Sequence, residues 1–175
     1  MDSSDRSGGE VRTTPAEQIV ALRHAGRHDE ARTLAVALAA RHPGDAMLQF
    51  QAACVHDFLG LEGRAVPYYL AALAGTLPQE QLRSAYLGLG STYRALGRYA
   101  EAERTLEDGL ARFPDAAELE VFLAMAQYNL GRSKQAVERL LRVLARTSGD
   151  AELQSYREAI LLYAQDIERS WPDEA

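Results

Sequence analysis

Four short segments recur along this 175-residue chain at a nearly constant spacing. They are AGRHDEA, LGLEGRA, LGRYAEA and LGRSKQA, and the glycines that they share are Gly26, Gly60, Gly97 and Gly131. Successive glycines stand 34, 37 and 34 residues apart. A period of about 34 residues is typical of a repeat built from two helices and a tight turn. The spacing therefore predicts a stack of helical hairpins, in which each hairpin buries its apolar face against the next one.

Other residues recur together with the glycines, and each kind has a physical reason to be there. An alanine stands five residues after each glycine, and a proline stands 17 or 18 residues after the first three; these are Ala31, Ala65, Ala102, Ala136, Pro43, Pro78 and Pro114. Glycine ends the first helix because a left-handed backbone conformation has a low energy only for a residue without a Cβ. Alanine lets the two helices of a hairpin approach closely, and proline stops the second helix because it lacks an N–H.

The repeat and the apolar periodicity together predict nine helices and no β-sheet. Thr14, Pro15 and Glu17 have the pattern of a capping box with proline at the first helical position. Further candidate N-caps are Asp45, Asp115, Ser133 and Asp150. We expect first helices near 15–25, 46–59, 79–96 and 116–130, and second helices near 28–42, 62–75, 99–112 and 133–147. A ninth helix over 151–169 has an apolar stripe, and we expect it to cap the end of the stack.

The same pattern divides the chain into a tail and one domain. Residues 1–13 are polar and include a Gly/Ser-rich stretch, so we expect a disordered N-terminal tail. Residues 14–170 form the predicted domain. Its repeats are expected at about 14–44, 45–78, 79–114 and 115–148, followed by the capping helix at 151–169.

Charge and composition argue against several classes of function. The formal net charge is −6, and an acidic surface repels phosphate backbones, so we expect no nucleic-acid partner. Cys54 is the only cysteine, which excludes an intramolecular disulfide and a thiolate zinc cluster. The first ten residues lack the apolar core of a signal peptide. No stretch reaches the roughly 18 apolar residues of a membrane span, and we therefore expect a cytoplasmic protein without a membrane partner.

The third repeat resembles the tetratricopeptide consensus at seven positions. They are Leu89, Gly90, Tyr93, Gly97, Tyr99, Ala102 and Pro114. The other repeats match less fully: His56 and Gln127 stand where the consensus prefers an aromatic residue, and the fourth repeat lacks the final proline. The run from His56 to Tyr163 is similar to a family of small, uncharacterised bacterial tetratricopeptide proteins. The resemblance implies an all-α, right-handed solenoid of four helical hairpins plus a C-terminal capping helix, and it implies no known biochemical activity.

In solenoids of this family the first helices line the concave face, so the resemblance implies a groove there. Positions ten, six, three and two residues before each repeat glycine then point into the groove. The candidate partner-binding residues from this set are Arg23, His24, Phe50, Asp57, Phe58, Leu87, Ser91, Arg94, Val121, Met125, Tyr128 and Asn129. The apolar members suit a helix or an extended segment with apolar anchors. The alternative is that some of them only pack against the capping helix.

No set of side chains in the sequence points to catalysis or to a bound metal or cofactor. His24 and His28 have the i, i+4 spacing of a metal pair, but Gly26 ends the helix between them. Cys54 and His56 are two residues apart on a predicted helix and so face different sides. We expect Cys54 to be a small packed apolar group, and His56 to be semi-buried with a hydrogen-bond partner. We therefore expect that the protein is not an enzyme.

Three functions remain open from the sequence. The first is a protein-interaction module that binds a segment of another protein or a peptide in the groove. The second is self-association into a homo-oligomeric scaffold, because the ends of a solenoid are exposed unless they are well capped. The third and most remote is an enzyme or a small-molecule binder.

Overall fold

The computed structural model describes residues 13–171, and that part of the chain contains ten α-helices and no strand. The helices are α1 (Pro15–His24), α2 (His28–Arg41), α3 (Ala46–Phe58), α4 (Glu62–Ala74), α5 (Gln79–Ala95), α6 (Tyr99–Arg112), α7 (Ala117–Asn129), α8 (Ser133–Thr147), α9 (Ala151–Ser155) and α10 (Arg157–Tyr163). The first eight form four hairpins, which confirms the all-α fold. The expected tail over 1–13 lies outside the described residues, apart from Thr13.

A tight turn joins the two helices of each hairpin, and glycine is required at its centre. Gly26, Gly60, Gly97 and Gly131 have φ of 72°, 67°, 75° and 79°, a region that side chains with a Cβ rarely adopt. After each glycine the next N–H donates to the carbonyl five residues back, as Arg27 does to Leu22 at 2.9 Å. This is the Schellman arrangement, which satisfies the last carbonyls of the first helix.

Small residues lie where the helices of one hairpin come together. The repeat alanines Ala31, Ala65, Ala102 and Ala136 are 0%, 0%, 0% and 3% exposed. Gly90 has the same function on α5, because a Cβ there would lie 2.5 Å from the Leu106 side chain of α6. The prediction that alanine marks a close helix contact is confirmed.

Three of the predicted helix caps are present and two are not. Thr14 forms the expected capping box with Glu17, while Asp45 and Asp150 accept hydrogen bonds from the N–H groups of Leu48 and Leu153. The predictions for Asp115 and Ser133 are wrong, because the N-caps there are Ala116 and Arg132. Ser133 is already helical, since helix α8 starts directly after the glycine turn.

Consecutive hairpins pack mainly where the second helix of one lies against the first helix of the next, as α2 against α3, α4 against α5, and α6 against α7, and neighbouring first helices also contact each other. One apolar cluster joins the first hairpin to α3, and a larger one runs through the second, third and fourth hairpins. Polar contacts also cross the junctions. The Gln49 amide of α3 donates to the carbonyls of Ala39 and Pro43 at the end of the first repeat, at 3.1 and 3.2 Å.

The C-terminal segment differs from the single helix expected over 151–169. Helix α9 begins like α3: Asp150 caps it as Asp45 caps α3, and Gln154 donates to the Ala145 and Ser148 carbonyls at 3.2 and 2.9 Å, as Gln49 donates to Ala39 and Pro43 at the junction after the first hairpin. The chain then breaks at Tyr156, and α10 ends at Tyr163. There are therefore ten helices in the described residues rather than nine.

The break lets the end of the chain reach one face of α8. Lys134 pairs with Asp166 at 2.6 Å, the Ile167 N–H donates to Glu138 at 3.2 Å, and the Arg142 guanidinium donates to the Ala164 carbonyl. Lys134, Glu138 and Arg142 are four residues apart and so share a face of α8. Helix α10 packs against α8. None of the helices in residues 13–171 is long and apolar enough to cross a membrane.

Candidate partner-binding face

The side chains three residues before the turn glycines form a row across the stack. They are Arg23, Asp57, Arg94 and Tyr128, one from each first helix. Packed helices lie about 8–10 Å apart, so neighbouring members of the row are within reach of one bound segment. We call the surface around this row, formed by α1, α3, α5 and α7, the first-helix face.

The predicted site residues differ widely in exposure. His24, Phe58, Met125, Tyr128 and Asn129 are exposed; Arg23, Asp57, Leu87, Ser91, Arg94 and Val121 are half-buried; and Phe50 is buried. Among the apolar and aromatic members, Tyr128 is 66% and Phe58 is 63% exposed. The fourth hairpin presents two exposed side chains on one helix, with Met125 and Tyr128 one turn apart on α7.

Two of the candidate aromatic residues already have packing partners in the fold. Phe50 is 7% exposed and belongs to the core, with its ring centroid 6.4 Å from that of Tyr69. The ring of Phe58 lies 4.5 Å from that of His28, which starts α2 directly beyond the first turn. Phe58 thus lies at the edge of the stack where the turns are, and the buried ring of Phe50 presents little surface to a partner.

Asp57 is engaged by two hydroxyl groups from other helices. The Tyr69 hydroxyl of α4 and the Thr92 hydroxyl of α5 each donate to the Asp57 carboxylate at 3.1 Å. Burial raises the pKa of Asp57 above its ordinary value, although both hydrogen bonds oppose that shift. Asp57 therefore links α3, α4 and α5, and its oxygens are directed into the fold.

Cys54 lies next to Asp57 and Tyr69, and it does not have the properties of a reactive nucleophile. Burial raises the pKa of the Cys54 thiol to about 11, so the reactive thiolate is rare at neutral pH. Its half-buried side chain packs against the core, as expected. Within residues 13–171 no three His, Cys, Asp or Glu side chains are grouped in a way that could hold a metal ion.

Neither cation of the row, Arg23 or Arg94, has an acidic partner within the described range, and Arg94 also lacks a hydrogen-bond acceptor for its Nε. It forms none of the ion pairs found among residues 13–171. Its Nε is buried and has no hydrogen-bond acceptor there. Arg23, by contrast, donates to the Gln51 side chain at 3.3 Å. Arg94 is half-buried and forms no ion pair within residues 13–171, so a carboxylate from a partner would add a charge-assisted hydrogen bond to its guanidinium.

A groove of about 390 Å³ lies between the starts of α5 and α7, and Leu87 is the one predicted site residue that lines it. Arg83 and Glu118 also line it and form a two-pronged ion pair across it. Sequence reasoning missed both residues, because they lie outside the four positions taken to define the groove. Their spacing of 35 residues, close to one repeat, is the signal that could have revealed the pair.

A second groove, of about 640 Å³, lies on the outside of the stack between α2 and α4, and the sequence did not predict it. His56 lines it while being only 4% exposed. Its Nδ1 lies 2.8 Å from the Ala52 carbonyl, and its ring stacks on Tyr68 with centroids 5.2 Å apart. The prediction that His56 has a hydrogen-bond partner is confirmed, and its side chain is more deeply buried than the semi-buried position expected.

The chain is similar to known repeat families and to solved structures. A family model described as a tetratrico peptide repeat matches residues 46–167, and one described as a tetratricopeptide repeat matches residues 18–37. The solved structure of a MamA RS-1 ArsTM double mutant is 18% identical over 85% of this chain and 80% of that chain, with a TM-score of 0.67. TTC0263, a thermophilic TPR protein in Thermus thermophilus, is 23% identical over 85% of this chain and 97% of that one, with a TM-score of 0.39. No curated protein matches the chain.

Proposed function

The chain belongs to the tetratricopeptide repeat family, and we propose that it is a protein-interaction module that holds a segment of another protein in a concave groove lined by its first helices. The family match covers residues 46–167, and a stack of helical hairpins is a scaffold suited to extended binding surfaces. We further propose that residues 14–170 act as one domain.

The observation that carries this proposal is the exposed pair on α7 beside an arginine that has no ion pair in the described chain. Met125 and Tyr128 are 37% and 66% exposed. Arg94 lies on α5, which packs against α7. Tyrosine provides a large contact area at interfaces, and methionine adapts its shape to different partners.

The chemistry of these residues indicates what kind of segment would bind. An apolar side chain of the partner would lie on Met125 and Tyr128, and a nearby carboxylate would accept from the Arg94 guanidinium. The net charge of the whole chain is −6, so Arg94 would attract the carboxylate locally and not through a general positive field.

The test begins by capturing the partner from the native host and identifying it by mass spectrometry. Its affinity is then measured by calorimetry for Tyr128→Ala and Arg94→Glu. Each change should weaken binding by about 1–4 kcal/mol if the residue is an anchor. Arg104→Glu is the matched control, since Arg104 is an exposed arginine on the second helix α6.

Two outcomes separate the first-helix face from the outer face. Loss of binding in Tyr128→Ala and Arg94→Glu, with Arg104→Glu equal to wild type, supports the proposal. If both first-helix variants bind like wild type while Arg104→Glu abolishes binding, the partner uses the outer face and the proposal is wrong.

A further inference from the structure

Helix α8 has an apolar stripe that no other helix covers within the described residues. Val137, Leu140 and Leu144 are 43%, 40% and 43% exposed. With Leu141 and with Val121 of α7 they line an apolar groove of about 360 Å³. Leu106, the counterpart of Leu140 one repeat earlier, is 0% exposed. The same repeat position is therefore fully covered inside the stack and open at its C-terminal end.

The path of the C-terminal segment explains why this surface is open. A fifth first helix would cover it, just as α7 packs on α6 and α5 packs on α4. Helix α9 starts such a helix but has only 5 residues. The chain then turns to the face of α8 that contains Lys134, Glu138 and Arg142. That face is about 100° around the helix from the stripe at an α-helical 3.6 residues per turn.

The N-terminal end of the stack exposes the complementary half of a junction. Its surface groove of about 530 Å³ is lined by Thr13, Gln18, Ala21, Leu22, Ala25, Arg27 and Leu34. One repeat later, Ala21 and Leu22 correspond to Val55 and His56, which are 1% and 4% exposed. Val55 belongs to the cluster that binds α3 to the first hairpin. Within residues 13–171, the first hairpin thus has the contact positions for a preceding hairpin, and no described helix covers them.

We propose that copies of this chain assemble head to tail, with the N-terminal end of one copy seated on the C-terminal end of the next. The contact would continue the junction already present between hairpins inside each chain. Leu140, Ala21 and Leu22 are exposed or half-buried at the ends, whereas their counterparts one repeat away, Leu106, Val55 and His56, are buried within the stack. This is why a second copy fits better than an unrelated helix.

The lengths of the helices at the two ends agree with this arrangement. Helix α1 has 10 residues, whereas α3 and α7 each have 13. Helix α9 supplies the missing first turn of a fifth first helix at the other end. Together, α9 of one copy and α1 of the next therefore occupy the length of one first helix. The stripe and the first-hairpin patch contain no acidic side chain, so no like-charged carboxylates oppose each other across the contact.

A head-to-tail contact uses different surfaces on the two copies, and this makes it testable by mixing. Ala21→Glu places a charge in the N-terminal patch at an exposed position, and Leu144→Glu does so in the C-terminal stripe. The matched controls are Ala100→Glu and Leu70→Glu, which change exposed residues on the second helices α6 and α4. Circular dichroism melting establishes that each variant is folded, and Val137→Glu replaces Leu144→Glu if the latter is not.

Light scattering after size-exclusion chromatography should show a wild-type mass that rises with concentration, because a head-to-tail contact does not close on itself. Both end variants should be monomers alone, both controls should assemble like wild type, and an equal mixture of the end variants should form a species of two protomers. A wild-type monomer at near-millimolar concentration overturns the proposal. So does an Ala21→Glu variant that still assembles like wild type, which would show that two C-terminal ends pair with each other. A mixture of the end variants that stays monomeric also overturns it.

Discussion

Ala102→Leu tests the register of the repeats at the closest helix contact. Ala102 is 0% exposed on α6, where that helix packs against α5. The substitution adds three carbon atoms at a position without free space, and overpacking of this kind costs about 1–3 kcal/mol. For a chain of 150–250 residues each kcal/mol lowers the thermal midpoint by about 2–4 °C, which gives a fall of roughly 2–12 °C.

The matched control is Ala100→Leu, which adds the same atoms on the exposed side of the same helix. It should leave the free energy of unfolding within about 0.5 kcal/mol of wild type. Urea unfolding followed by circular dichroism measures both variants, and the slope of the transition should be unchanged if only the folded state is affected. If Ala102→Leu unfolds at the same urea concentration as Ala100→Leu, the assignment of this alanine to the helix contact is wrong.

Three further changes test other parts of the fold. Phe50→Ala should lower the free energy of unfolding in urea by about 3–5 kcal/mol, because the ring is in the core. A loss below about 1 kcal/mol would show that Phe50 is not a core residue and is available to a partner. The raised pKa of Asp57 means that the folded chain holds this proton more tightly than the unfolded chain, so wild type loses stability as pH rises through that pKa. Asp57→Asn has no titrating group at this position, so its free energy of unfolding relative to wild type should increase between about pH 4 and about pH 7. If the difference in unfolding free energy between the two proteins did not change with pH, the argument that burial raises this pKa would be contradicted. Deleting residues 151–175 should lower the thermal midpoint, since it removes helix α10, which packs on α8, and the hydrogen bonds from Gln154 to the Ala145 and Ser148 carbonyls, whereas an unchanged midpoint would show that this segment does not cap the stack.

The features that were predictable from sequence depend on residue types with few alternatives. Gly26 and the other turn glycines occupy a backbone region that is closed to most residues, and the repeat alanines occupy contacts that admit only a methyl group. The observed helix bounds are close to the predicted ones; for example, a helix was expected over 79–96 and α5 spans Gln79–Ala95. Local chemistry alone decided these elements.

The path of the C-terminal segment could not be predicted, because it depends on contacts between distant residues. The sequence around Tyr156 contains neither glycine nor proline, and an apolar stripe runs through it. The chain breaks there because Asp166 and Ile167 bind Lys134 and Glu138, about 30 residues earlier. Nothing in the local sequence indicates those partners.

The candidate site was predictable in position but not in accessibility. Phe50 and Val121 both stand ten residues before a turn glycine. The next first helix, α5, packs on α3 and Phe50 is in the core, whereas Val121 lies at the open end of the stack. The neighbouring repeat therefore determines whether the same position is core or surface, and a single repeat does not contain that information.

The contacts of Asp57 with α4 and α5 affect the order in which parts of the chain unfold. In a stack where each hairpin touches only its neighbours, the order of unfolding follows the strength of each junction. Tyr69 of α4 and Thr92 of α5, which are 3% and 1% exposed, both donate to Asp57 of α3. The Tyr69 bond lies within the second repeat, and the Thr92 bond links the second repeat to the third. The first hairpin is held through a smaller apolar cluster. We therefore expect amide protons of α3, α4 and α5 to exchange with solvent together and last, while those of α1 and α2 exchange earlier through a local opening that leaves the middle of the stack intact.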